Sequence, residues 1–116
     1  MRLILGLLLT LVCSASFAAN SWEGPFTIKK VSAFMEDGMH IVSVTTNDVI
    51  NSSCTIADKK KVAGYWSTAL SFQHTQGLSV LLSAQAQNKP VMLYVDLKRC
   101  ENKFATPFYG VEVASE

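Results

Sequence analysis

The sequence predicts a small, mainly β domain that contains one helix, and three observations carry that expectation. Several segments alternate at period two or run apolar for the length of a strand. A single stretch, Leu78 to Gln85, carries its apolar residues at helical spacing. Gly, Pro, Asn and Asp punctuate the chain between these segments.

The first segment is set aside as a leader. Met1-Arg2 supplies one positive charge, and Leu3 to Cys13 is an apolar run of eleven residues. Such a run is too short to cross a hydrocarbon core of roughly 30 Å as a helix. Ser16 and Ala18 are small residues at the −3 and −1 spacing of a signal peptidase site, so cleavage is expected after Ala18. Cys13 does not fit a lipoprotein, because the bulky Val12 precedes it. The expected mature chain, residues 19–116, is 98 residues and one domain, placed in the periplasm or outside the cell. Without Arg2 it carries nine basic and nine acidic residues, a net charge of zero. A neutral exported domain lacks the electrostatic footprint for nucleic acid or anionic lipid, and no membrane span is expected in the mature chain.

Thr27 to Phe34 mixes β-branched and polar residues as a strand does. Glu36-Asp37-Gly38 is a turn signal, and Met39 to Thr46 a second strand, so the two form a hairpin. Ile41, Ser43 and Thr45 fall on one face of that strand, Val42 and Val44 on the other. Cys54 to Ala57 reads as a short strand, and Asp58-Lys59-Lys60-Lys61 as a solvated charged turn. Tyr65 to Phe72 alternates, placing Trp66, Thr68, Leu70 and Phe72 on a core face. The helix is expected from an N-cap at Thr75 to Asn88, which closes it in the left-handed conformation before Pro90. Pro90 to Leu97 is almost continuously apolar, the pattern of a strand buried on both faces. Phe108 to Val113 is the last strand. Three or four strands, depending on whether the short Cys54–Ala57 segment counts, then one helix and two strands fit a five-stranded Greek-key barrel of the OB type, with strands 1–3 before the helix and two after. The expected core is Ile41, Leu70, Phe72, Val80, Leu81, Leu82, Val91, Leu93, Val95 and Val111.

Two cysteines remain in the mature chain, Cys54 and Cys100, and an even count in an oxidising compartment predicts a disulfide between them. No Cys-x-x-Cys occurs, and His40 and His74 show no ligand spacing, so no metal and no cofactor is expected.

The run Leu78 to Asp96 followed by Cys100, with Cys54 upstream and Trp22-Glu23-Gly24 at the start, resembles a group of small exported bacterial OB-fold proteins. These are similar to the receptor-binding B subunits of AB5 toxins, of the subtilase cytotoxin and typhoid toxin type. The resemblance implies a binding module, self-associating in the manner of those subunits. In them a polar loop with aspartate and serine groups follows the Trp-x-Gly start and builds the glycan pocket. Here Pro25-Phe26-Thr27 follows Gly24, so no sugar-binding residue carries over.

Three functions are weighed. The first is an exported module that binds a glycan or a protein receptor through aromatic side chains. Trp22, Tyr65 and Tyr109 are the binding candidates, while Trp66 and Tyr94, inside strong strands, read as core. The second is an exported accessory protein without a ligand. The third is a small hydrolase, and the chain has no Gly-x-Ser-x-Gly, no His-Glu-x-x-His and no phosphate loop. Asp96 or Glu112 beside His40 or His74 would make a dyad, yet no spacing demands it, so no catalytic residue is assigned.

Overall fold

A computed structural model describes residues 20–54, 61–100 and 105–114. The expected leader, residues 1–18, and most of the expected Cys54–Ala57 strand lie outside the described residues; Cys54 itself is in irregular backbone. The elements are β1 (Asn20–Phe26), β2 (Ile28–Glu36), β3 (Met39–Thr46), β4 (Val62–Ser67), a 3-10 turn (Phe72–His74), α1 (Gln76–Ala86), β5 (Val91–Asp96) and β6 (Thr106–Val113). The described residues are mainly β with one α-helix, as expected.

The strands form one mixed sheet in the order β1-β5-β6-β4-β3-β2. Every pairing is antiparallel except β4 with β6. Among the described residues there are six strands and not the expected five, because the N-terminal segment makes two. β1 pairs with β5 and β2 pairs with β3, with only Thr27 between them. The two outer strands of the sheet are thus covalent neighbours. β1 carries no alternation, and its strand state comes from β5 beside it, a tertiary effect that local pattern does not register.

The β2–β3 hairpin turns on Asp37 and Gly38 at φ 53° and 76°, and pairs Glu36 with Met39. Two consecutive positive φ values make the I′ turn whose twist matches the strands, and glycine takes such a value without strain. β3 lies between β2 and β4 and is buried on both faces at Ile41, Val42, Ser43 and Val44. Val42 and Val44 join the core with Phe26, Leu81, Val91, Leu93, Val95 and Phe108. β5 is buried on one face through Val91, Leu93 and Val95, while Met92 and Tyr94 on the other face are only half-buried. This corrects the two-faced burial inferred from its apolar run. Leucine and valine on the inner face would satisfy either reading, and the outer face is decided by how much β1 covers.

The largest departure follows Ser67. The alternation of Trp66, Thr68, Leu70 and Phe72 predicted a strand to residue 72, but β4 stops at Ser67. The Ser67 hydroxyl accepts the Ala69 N–H at 3.2 Å and bends the chain. The Ser71 N–H then donates to His74 Nδ1 at 3.2 Å, drawing the next residues into the 3-10 turn. Serine side chains that bond nearby backbone compete with the ladder in this way. Leu70, expected in the core, is consequently 63% exposed, and Phe72 is exposed too.

α1 packs on β6 and β2 through Gly77, Leu81 and Ala84. It ends as expected at Asn88, with φ 54°. The Lys89 N–H reaches the Ala84 carbonyl at 2.9 Å and the Asn88 N–H reaches that of Gln85 at 3.1 Å. These two bonds make a Schellman closure. Thr75 stands at the N-cap position, but its hydroxyl donates to the Ser71 carbonyl at 3.0 Å and does not cap the helix. Among the described residues no helix is long and apolar enough to cross a membrane.

Cys54 and Cys100 are joined, with Cα atoms 5.1 Å apart. The loop before Cys54 is held to the end of β5 by Ser53 N–H donating to the Leu97 carbonyl at 2.8 Å. It is held to β6 by the Thr106 hydroxyl donating to Ser52 Oγ at 2.7 Å. The bridge therefore ties the β3–β4 connection to the β5–β6 connection.

Candidate functional site

The register places Trp22 of β1 opposite Tyr94 of β5, and Tyr94 opposite Gly110 of β6. Gly110 has no side chain, and the Trp22 ring extends across Tyr94 to lie over it. A Cβ at position 110 would stand 3.2 Å from Trp22 Cη2 and 3.2 Å from Tyr94 Cβ. The Trp22 and Tyr94 rings are 5.2 Å apart at 42°, a separation at which aromatic pairs attract. Packed on one side, Trp22 still leaves 46% of its surface to solvent. The next pair along the ladder is Met92 with Glu112. Pro25, Met92, Glu112, Val113 and Ala114 line a shallow depression there. An exposed indole thus shares one face of the sheet with a depression that holds an exposed carboxylate.

Tyr65 and Tyr109 are brought together elsewhere, edge to face with centroids 5.9 Å apart. Arg99 Nη1 donates to the Tyr109 hydroxyl at 3.2 Å. Tyr65 also lies 5.6 Å from the His74 ring, and His40 lies 6.0 Å from it. Of the three binding candidates, then, Tyr65 and Tyr109 share one cluster, whereas Trp22 pairs with Tyr94. Tyr94, read from sequence as core, is half-buried beneath that platform.

His74 is buried, and the hydrogen bonds fix its role. Nδ1 accepts the Ser71 N–H, so Nε2 carries the proton. From there it donates to the His40 carbonyl at 3.0 Å and stands 3.3 Å from that of Tyr65. The adjacent Gln73 donates through Nε2 to the Phe108 carbonyl at 3.0 Å. The β4–β6 ladder pairs Ala63 with Thr106 and Gly64 with Pro107. The carbonyls one residue beyond, on Tyr65 and Phe108, are those taken by His74 and Gln73. The 3-10 turn thereby closes the gap where the two strands part. Neither Asp96 nor Glu112 is a partner of His74: Asp96 Oδ1 accepts the Lys98 N–H at 3.0 Å, and Glu112 lies at the depression beside Met92. His74→Ala is expected to cost about 1–3 kcal/mol, since it leaves the part-buried Ser71 N–H without its acceptor and takes a donor from the part-buried His40 and Tyr65 carbonyls. Thermal unfolding checks the loss.

Beside His74 runs an apolar groove of about 180 Å³, lined in part by Phe34, Met35, His40, Ile41 and Leu70. Met35 is 62% exposed and Phe34 is exposed beside it. Sequence reasoning missed this groove because Leu70 was counted as core. The exposed apolar pair Phe34-Met35 next to the Asp37-Gly38 turn was the signal available. Among the described residues no three His, Cys, Asp or Glu side chains stand together as metal ligands. No family model, no curated protein and no solved structure matches the chain.

Proposed function

We propose that the chain is an exported binding module on an OB-type barrel, and that the Trp22–Tyr94 platform receives a sugar ring of a glycan. The observation that carries this reading is the half-exposed Trp22, which packs on Tyr94 and reaches over Gly110. Such an aromatic is rigid before binding, so little entropy is lost when a ligand stacks on it. The connectivity supports the barrel: a β2–β3–β4 meander, the helix, then β5 and a β6 that returns parallel to β4, with β1 and β2 as one interrupted strand. The Cys54–Cys100 bridge supports export, because disulfides persist in oxidising compartments. In this reading the chain works as the AB5 toxin B subunits it resembles do, but through Trp22 itself and not through the polar loop that follows the tryptophan in them. No catalytic group is assigned.

A glycan array probed with the mature protein tests the proposal. Selective retention is expected, and Trp22→Ala should lower it at least tenfold, about 1.4 kcal/mol, while the unfolding temperature stays close to that of the parent. Retention unchanged in Trp22→Ala would remove the platform from the reading. A protein partner, a second copy of the chain included, is the second reading, and the exposed Met35 and Leu70 of the groove favour it. Sedimentation equilibrium separates the two: a mass that rises with concentration and falls in Met35→Ser supports self-association.

A further inference from the structure

The far end of the sheet carries a polar pocket of about 260 Å³ lined by Lys29, Thr45, Thr46, Asn47 and Lys61. We propose that it binds a tetrahedral oxyanion, a phosphate or sulfate group. The backbone assembles it in two steps. Ile28 pairs with Thr46 and Lys30 with Thr45, so Lys29 is the extra residue of a β-bulge. A bulge re-aims side chains at the place where it interrupts the ladder, and this one sets two consecutive lysines against Thr45. On the other side of β3, Thr45 pairs with Val62, which places Lys61 next to the same end of β3. Two lysines thus line the pocket from either side of β3, Lys29 on β2 and Lys61 just before β4.

The remaining lining is suited to an anion. Among the described residues no carboxylate belongs to it. The Thr46 hydroxyl donates at 2.6 Å to the Asp48 carbonyl, with the Lys61 carbonyl 3.3 Å away, so it braces the wall. The Asn47 N–H likewise donates to the Thr27 carbonyl at 3.0 Å, fixing the turn. Lys29 and Lys61 are left to supply charge, with Thr45 beside them as a hydroxyl donor. Lysine ammonium groups act on phosphate and sulfate as point charges and need no planar fork. With the mature chain at zero net charge, this concentration is local and not a property of the whole surface.

Amide chemical shifts of the disulfide-intact mature protein test the site. Inorganic phosphate, inorganic sulfate and N-acetylglucosamine 6-sulfate are titrated at constant ionic strength, with chloride as the reference. Saturable shifts confined to Lys29, Lys30, Thr45 to Asn47 and Val62 are expected. The double variant Lys29→Gln/Lys61→Gln should weaken them at least tenfold while the remaining spectrum is unchanged. Thr45→Val should weaken them less, and serves as a second variant if the double one is perturbed. Equal saturation by all three anions identifies a site for the free ion. Tighter saturation by the sugar sulfate identifies an ester-bearing ligand, and both results support the proposal. Shifts that fail to saturate, that chloride reproduces, or that the double variant retains would overturn it. The glycan array does not bear on this outcome, because Trp22 is on β1 and takes no part in the pocket.

Discussion

Cys54→Ser should lower the stability of the domain by about 2–5 kcal/mol and leave Cys100 as a free thiol. The bridge spans 46 residues, and the chain-entropy argument assigns roughly 4 kcal/mol to closing such a loop in the unfolded state. The folded state adds no cost that serine would relieve, because the Cα atoms stand 5.1 Å apart, inside the ordinary range. The surrounding bonds from Ser53 to Leu97 and from Thr106 to Ser52 would remain, so the variant should fold. Urea unfolding gives the loss. Alkylation of the native protein should label neither cysteine in the parent and Cys100 alone in the variant. Labelling of both in the native parent would contradict the structural role.

Leu81→Ala should cost about 2–5 kcal/mol and Leu82→Ala less than about 0.5 kcal/mol. Leu81 is fully buried against the core, whereas Leu82 is 48% exposed. The sequence put both on the apolar side of the helix. On a 3.6 period, however, the stripe that meets β6 and β2 is Gly77, Leu81 and Ala84, and Leu82 lies a hundred degrees round from Leu81. Thermal unfolding of the two variants measures the difference directly, and equal losses would mean that the helix is docked by another face.

The same pair shows how far the chain could be read. The helix, its Asn88 closure, the Asp37-Gly38 hairpin and the Cys54–Cys100 pairing were legible because each rests on local chemistry or parity. Val91, Leu93, Val95, Ile41 and Val111 were placed in the core correctly, since strong strands leave them little alternative. Leu70 and Phe72 were not. Their alternation with Trp66 and Thr68 is as regular as any in the chain, and it is Ser67, Ser71 and His74 that turn the backbone out of the sheet. Polar side chains that compete with a ladder leave no mark on a hydrophobic period. β1 was missed for the opposite reason: its sequence is indifferent, and β5 makes it a strand.

The candidate site was half legible. Trp22 was singled out for its residue type. Its setting was not, because the room for the indole depends on Gly110, 88 residues away in sequence and brought close by two registers. Tyr65 and Tyr109 were chosen on the same grounds, and the fold packs Tyr65 between His74 and Tyr109. Pocket-forming residues such as Lys29 and Lys61 needed a bulge to be recognised as neighbours of one strand end.

The proposed sugar binding at the Trp22–Tyr94 pair is tested directly with simple glycosides. Methyl glycosides of glucose, galactose and N-acetylglucosamine are titrated at millimolar concentration while the Trp22 indole N–H and the Gly110 amide are followed by NMR. At least one glycoside should shift both resonances saturably, with Tyr94 and Glu112 moving alongside, and Trp22→Ala should abolish the Gly110 response. Shifts concentrated instead at Phe34, Met35 and Leu70, or a silent Trp22 throughout, would contradict the assignment of β1, β5 and β6 as the binding face.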